Sequence, residues 1–114
     1  MPRYISFMLT QAQVKAGTKT VTRRLGWKNL KPGTVLIGAE KCQGLGKGGK
    51  IKPLRKIKVV DVRRETLSAI TKEDCAAEGF PEMSPSDFIL FFCRTHKGCA
   101  PSSQITRIQF ECLD

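Results

Sequence analysis

Hydrophobic positions along this 114-residue chain fall into short runs, broken by Gly, Pro and clusters of charge. The run from Tyr4 to Leu9 is β-prone and predicts an opening strand, with Tyr4 and Phe7 as core residues. Thr10 is placed to cap a short helix from Gln11 to Ala16, and Gly17 stands where a helix end often needs positive φ. The stretch Lys19 to Arg24 is rich in β-branched residues yet too polar for a buried strand. Lys31-Pro32-Gly33-Thr34 predicts a turn, and Val35 to Cys42 a core strand.

Further along, Gly44 to Lys50 reads as a flexible basic loop at the tip of a long hairpin. It lacks the spacing of a phosphate loop, and no helix signal follows it. Leu54 to Glu65 alternates Ile57, Val59, Val60 and Val62 with charges, as a second long strand would. Thr71 to Asp74 has the form of a capping box and starts a short helix that Gly79 and Pro81 must end. Ser84 as N-cap, Pro85 at the first helical position and Asp87 in the first turn predict a helix over Pro85 to Thr95. That helix is apolar nearly all round, which predicts burial against the sheet. Gln104 to Leu113 closes the order as a strand. One α+β domain over residues 1–114 follows, a mostly antiparallel, barrel-like sheet with two or three short helices.

Charge adds a class of partner to this outline only through its distribution. The net charge is +10, and residues 1–39 carry seven Lys/Arg and no acid. Through Arg64 the balance is sixteen basic to two acidic; from Glu65 onward it is four to eight. A basic first half suits polyanions, because bound phosphates release their counterions. The strongest phosphate-tracking run is Lys47 to Lys58 with Arg63 and Arg64. A solvated basic surface without a dedicated partner is the plainer alternative. Nothing reads as a membrane span or a signal peptide, so a cytoplasmic protein is expected, with no membrane partner and as a monomer.

Five cysteines (Cys42, Cys75, Cys93, Cys99 and Cys112) cannot all pair with one another and read as reduced thiols. Cys93, His96 and Cys99, with Cys42, are the sharper candidates for a metal, but their spacing matches none of the common zinc signatures. No metal ligand and no cofactor is assigned. His96 is expected at an exposed helix end, where the dipole favours it.

The most informative stretch is Ala16-Gly-Thr-Lys-Thr-Val-Thr-Arg-Arg24. Gly17, Lys19, Thr22 and Arg24 resemble the Gly-x-Lys-x-x-(Thr/Glu)-x-Arg signature of the ASCH domain family. Similarity continues through Lys31-Pro-Gly33, Glu40-Lys41-Cys42 and Ile105 to Phe110, so it covers almost the whole chain. The resemblance implies a PUA-like β-barrel with a cleft that binds RNA or a modified nucleoside; small stand-alone members of the family are often encoded in phages and prophages.

One branch of that family resembles amidohydrolases that remove the acetyl group of N4-acetylcytidine. Carried over, its working set falls on Lys19, Thr22 and Glu78. A Thr hydroxyl needs a base to become a nucleophile, and a Lys is a base only where desolvation or like charge depresses its pKa. Arg23 or Arg24 supplies such charge, Glu78 orients Lys19 or shuttles a proton, and Arg24 suits a carbonyl or phosphate. Residues three apart on a regular strand face opposite ways, so Lys19 and Thr22 converge only if the segment is irregular; Gly17 makes a turn possible. A solvated Glu78 at a helix end is the plainer reading.

Gly17, Arg23, Arg24, Trp27, Lys41, Lys47 and Lys50 complete the expected ligand- or RNA-binding set. Trp27 suits either a base-stacking platform or an anchor for the following turn. Lys41 suits either the cleft or a cross-strand ion pair. The alternatives to deacetylation are a metal-independent ribonuclease and a non-catalytic RNA-binding or regulatory module, which would act on RNA or on a host protein.

Overall fold

The computed structural model describes residues 3–7, 9–40 and 52–113. Five strands form one sheet: β1 (Arg3–Ser6), β2 (Val21–Arg24), β3 (Val35–Ala39), β4 (Pro53–Thr66) and β5 (Gln104–Cys112). Their spatial order is β1-β3-β4-β5-β2. β1 pairs with β3 in parallel, and every other neighbouring pair is antiparallel. Three helices accompany the sheet: α1 (Gln11–Ala16), α2 (Lys72–Ala77) and α3 (Pro85–Thr95). The expected small α+β half-barrel, mostly antiparallel, is therefore the observed architecture. No helix among the described residues is long and apolar enough to cross a membrane.

Local chemistry explains where the helices begin and end. Ser84 and Asp87 form a reciprocal capping box around Pro85, so α3 has the bounds its sequence predicts. Thr71 caps α2 by accepting from the Asp74 N–H at 3.2 Å. Thr10 makes no such side-chain bond to α1; it is buried instead. Gly17 (φ +78°) and Gly79 (φ +105°) turn the chain at the ends of α1 and α2, in a region a β-carbon disfavours.

Two apolar clusters lie under these elements. One joins Ile5, Phe7, Val14, Leu36, Ile57, Val59, Ile108 and Phe110; the other joins Leu67, Ile70, Cys75, Phe88, Phe92 and Ile105. Period-two alternation turns Ile5 and Phe7 inward and leaves Tyr4 exposed, so of the two expected core aromatics only Phe7 is one. α3 is not buried all round: Phe88 and Phe92 form the covered stripe at i, i+4, while Leu90 is 62 % exposed. β2 departs furthest from expectation, because Thr22 and Arg23 are buried along with Val21 despite their polarity. Carboxylates supplied by distant segments make that burial possible.

Candidate functional site

Arg23 on β2, Arg107 on β5 and Arg63 on β4 are direct neighbours in the ladder, so three guanidinium groups lie across one row of the sheet. Acids from two segments separate them. Asp74 of α2 accepts from Arg107 Nε and Nη2 at 2.9 and 3.0 Å and from Arg23 Nη2 at 2.5 Å. Glu65 accepts from Arg23 at 3.1 Å and from Arg63 at 2.7 Å. The hydrogen bonds from Arg107 first, and those from Arg23 next, hold the Asp74 carboxyl down at about 2, against the opposing effect of burial. The Asp74 carboxylate in turn raises the pKa of Arg107.

This row fixes α2, and the end of α2 meets the segment entering β2. The Thr20 N–H donates to the Ala77 carbonyl at 2.8 Å, and Lys19 Nζ donates to the Glu78 carbonyl at 2.6 Å. Lys19 Nζ also reaches Glu78 Oε1 at 2.7 Å, in an ion pair with both side chains at most 5 % exposed. Desolvation lowers the Lys19 pKa; Glu78 opposes this, and Arg24 and Arg23 push it further down. Glu78 Oε2 has no hydrogen-bond partner, and the nearest cation, Arg23 Nη1, stands 3.6 Å away and is itself unbonded.

Lys19 precedes β2 rather than lying in it, so strand alternation does not separate it from Thr22. Both line one cavity of about 470 Å³ with Glu78, Arg23 and Arg24. Arg24 Nε donates to Thr22 Oγ1 at 3.1 Å and Arg24 Nη2 to the Ser6 carbonyl at 2.5 Å, while its guanidinium lies 5.2 Å from the Phe7 ring centre. Most of the remaining wall is aromatic: Phe7, Phe80, Phe88, Phe91 and Phe92, with His96 at the end of α3. Phe80 and Phe88 each meet Phe91 edge-on, at 5.3 and 6.1 Å between ring centres, in the geometry aromatic pairs prefer.

The cavity thus gathers Lys19, Thr22, Glu78, Arg23 and Arg24. Arg23 serves it from behind, since its guanidinium is fully covered and its Nη2 is committed to Glu65 and Asp74. Gly17 does not line the cavity; it shapes the turn that delivers Lys19 and packs near Arg55. Trp27 is also elsewhere: at φ +59° it packs on the first apolar cluster, with the Arg3 guanidinium 4.5 Å from its ring centre. Lys41, Lys47 and Lys50 lie outside the described residues, as does Cys42.

Cys93 and Cys99 are free thiols with sulfur atoms 3.8 Å apart. Among the described residues, no three His, Cys, Asp or Glu side chains cluster as metal ligands. His96 is half-buried rather than exposed, stacked on Phe92 at 3.9 Å between ring centres, and it faces the cavity. Phe80, Phe91, Asp74, Glu65 and Arg107 were not marked as functional by any local sequence signal, and His96 only as a metal candidate.

No protein-family model and no curated protein matches the chain in sequence. Solved structures match its fold. Hypothetical protein PH0355 superimposes with a TM-score of 0.70 at 20 % identity, over 99 % of this chain and 100 % of its own. Protein EF3133 from Enterococcus faecalis V583 gives 0.67 at 19 %, over 100 % and 81 %. An ASCH domain from Lactobacillus crispatus JV V101 gives 0.67 at 15 %, over 96 % and 78 %. The fold is ASCH-like.

Proposed function

We propose that this ASCH-like chain binds RNA or a modified nucleoside and hydrolyses an amide on the base, with N4-acetylcytidine as the type of substrate. The observation that carries the reading is Lys19: a buried amine of depressed pKa, held by Glu78, in one cavity with the Thr22 hydroxyl. Five phenylalanine rings beside that trio suit a flat heterocycle better than a phosphodiester chain.

The chemistry follows from hydrogen-bond direction. Arg24 occupies a lone pair of Thr22 Oγ1 and leaves the hydroxyl proton to be given away. Neutral Lys19 takes that proton as Oγ1 attacks the acetyl carbon, and the developing charge is carried on the former carbonyl oxygen. Collapse of the tetrahedral species breaks the C–N4 bond, and the Lys19 ammonium returns the proton to the leaving amine. Water, deprotonated by Lys19, then cleaves the Thr22 ester and releases acetate. Glu78 holds Nζ in place throughout and keeps its charge compensated.

Exposed Lys56, Lys58, Arg63 and Arg64 on β4 support a polynucleotide as the natural carrier of the base, met in the cytoplasm. Incubation of the purified protein with N4-acetylcytidine, with acetate followed by chromatography, tests the reaction. Release that Lys19→Ala and Thr22→Ala both abolish is the expected result. Folded protein that releases none rules out this substrate, and labelled RNA then separates cleavage from plain binding.

A further inference from the structure

His96 carries an acceptor that the reaction above does not use. Its Nδ1 lies 2.9 Å from the Phe92 carbonyl and 3.1 Å from Thr95 Oγ1. A carbonyl oxygen only accepts, and the Thr95 hydroxyl already donates to the Phe91 and Phe92 carbonyls. Nδ1 therefore bears the ring proton, and in the neutral imidazole the lone pair is on Nε2. Parallel stacking on Phe92, 10° between planes, fixes the ring, and no group among the described residues bonds Nε2.

A positioned acceptor on an aromatic wall selects a ligand that brings a donor to it. Building on the proposed reaction, the choice of donor is narrow. The ring of an N4-acylated cytosine presents N3 and O2, both acceptors, and its N4–H belongs to the amide at Thr22. Away from the reacting bond, only the ribose hydroxyls of the nucleoside can donate; a free base adds its own N1–H, which N1-methylation removes. We infer that His96 Nε2 accepts a hydrogen bond from a ribose hydroxyl and makes this site select a nucleoside over the N1-methylated base.

Matched variants separate the two ring nitrogens. His96→Asn keeps a side-chain amide near Nδ1, able to serve the Phe92 carbonyl, and removes the acceptor at Nε2; His96→Gln places its amide near Nε2. Acetate release is measured with N4-acetylcytidine and N4-acetyl-1-methylcytosine, which has neither a ribose nor an N1–H donor. The wild type favours the nucleoside by about tenfold in kcat/KM, mostly through KM, the worth of one hydrogen bond. His96→Gln keeps most of that ratio, and His96→Asn brings it to about one. A wild type indifferent to the ribose, or a His96→Asn protein that keeps the ratio, overturns the inference. If neither compound is hydrolysed, the reaction reading fails on its own. Calorimetric binding of cytidine and 1-methylcytosine then decides the role of His96 by the same pattern, and equal or absent binding to the wild type overturns it.

Discussion

Two buried ion-pair assemblies stand side by side in this protein, built from the same groups and finished differently. Around Asp74 the carboxylate is fully answered: its two oxygens accept three hydrogen bonds, and Glu65 closes the row between Arg23 and Arg63, although Arg23 Nε has no hydrogen-bond partner. Around Glu78 the accounts stay open. Oε1 holds Lys19, but Oε2 has no hydrogen bond, and Arg23 Nη1 beside it has none either. Burial of an unanswered polar atom costs about 1–3 kcal/mol, more for a charged one. The saturated Asp74 carboxylate is scaffold, and the half-bonded Glu78 carboxylate sits where a cavity opens. The contrast teaches that how fully a carboxylate is bonded, more than its charge or burial, separates the acid that holds α2 from the one fit to react.

The largest effect should come from the reactive side. Lys19→Met removes the base and should lower kcat on N4-acetylcytidine by about 10²–10⁴-fold, the range a positioned general base supplies. Wild-type kcat should rise with pH along a limb whose midpoint lies below the ordinary lysine value, because desolvation favours the neutral amine. Glu78→Gln sharpens this point. Its carboxylate raises the Lys19 pKa, so removing the charge should move that limb to lower pH. A limb unmoved by the substitution would mean that another group titrates.

On the scaffold side, Asp74→Ala should act on stability first. It leaves Arg23 and Arg107 buried against each other without their shared acid, a loss of about 3–5 kcal/mol by urea unfolding. A small loss would show that water or Glu65 takes over, and the contrast between the two assemblies would weaken. Acid should give a smaller version of the same result. Asp74 has its folded pKa depressed to about 2, below the unfolded value, so its contribution is complete above about pH 4 and is lost as pH falls towards 2. Partial solvent screening reduces this to about 1–2 kcal/mol. In Asp74→Ala, that part of the acid-induced loss should be missing.

These two assemblies also mark what could be read from the chain and what could not. Element bounds were legible where the signals are local. Ser84, Pro85 and Asp87 set the start of α3, and Gly17 the end of α1, within a few residues of sequence. The trio Lys19, Thr22 and Glu78 was legible only through its likeness to a known signature, and spacing on a strand argued against it. The turn that resolves the difficulty needs Gly17, but it also needs the α2 carbonyls that Lys19 and Thr20 bind. The scaffold row was not legible, because Asp74 lies 51 residues from Arg23 and 33 from Arg107. Only the register of β2, β5 and β4 brings them together, so the sequence offered Arg23 as a ligand- or RNA-binding cation and not as part of a scaffold. The aromatic wall was hidden for another reason. A helix apolar on most sides does not declare which ring faces a cavity.

The smallest expected effect is the one that isolates burial from distance. Arg63 Nε meets Glu65 Oε1 at 2.7 Å, as short as the Lys19–Glu78 contact, yet the Arg63 side chain is 56 % exposed. Water can answer both partners when such a pair is cut, and salt screens what remains, so Arg63→Ala should cost less than about 0.5 kcal/mol. Urea unfolding beside Asp74→Ala reads the difference directly, and added salt should narrow it little. Should Arg63→Ala cost as much as Asp74→Ala, the row would be one cooperative unit reaching to the surface. Glu65 would then be the hinge of the scaffold, because it touches both the exposed arginine and the buried one.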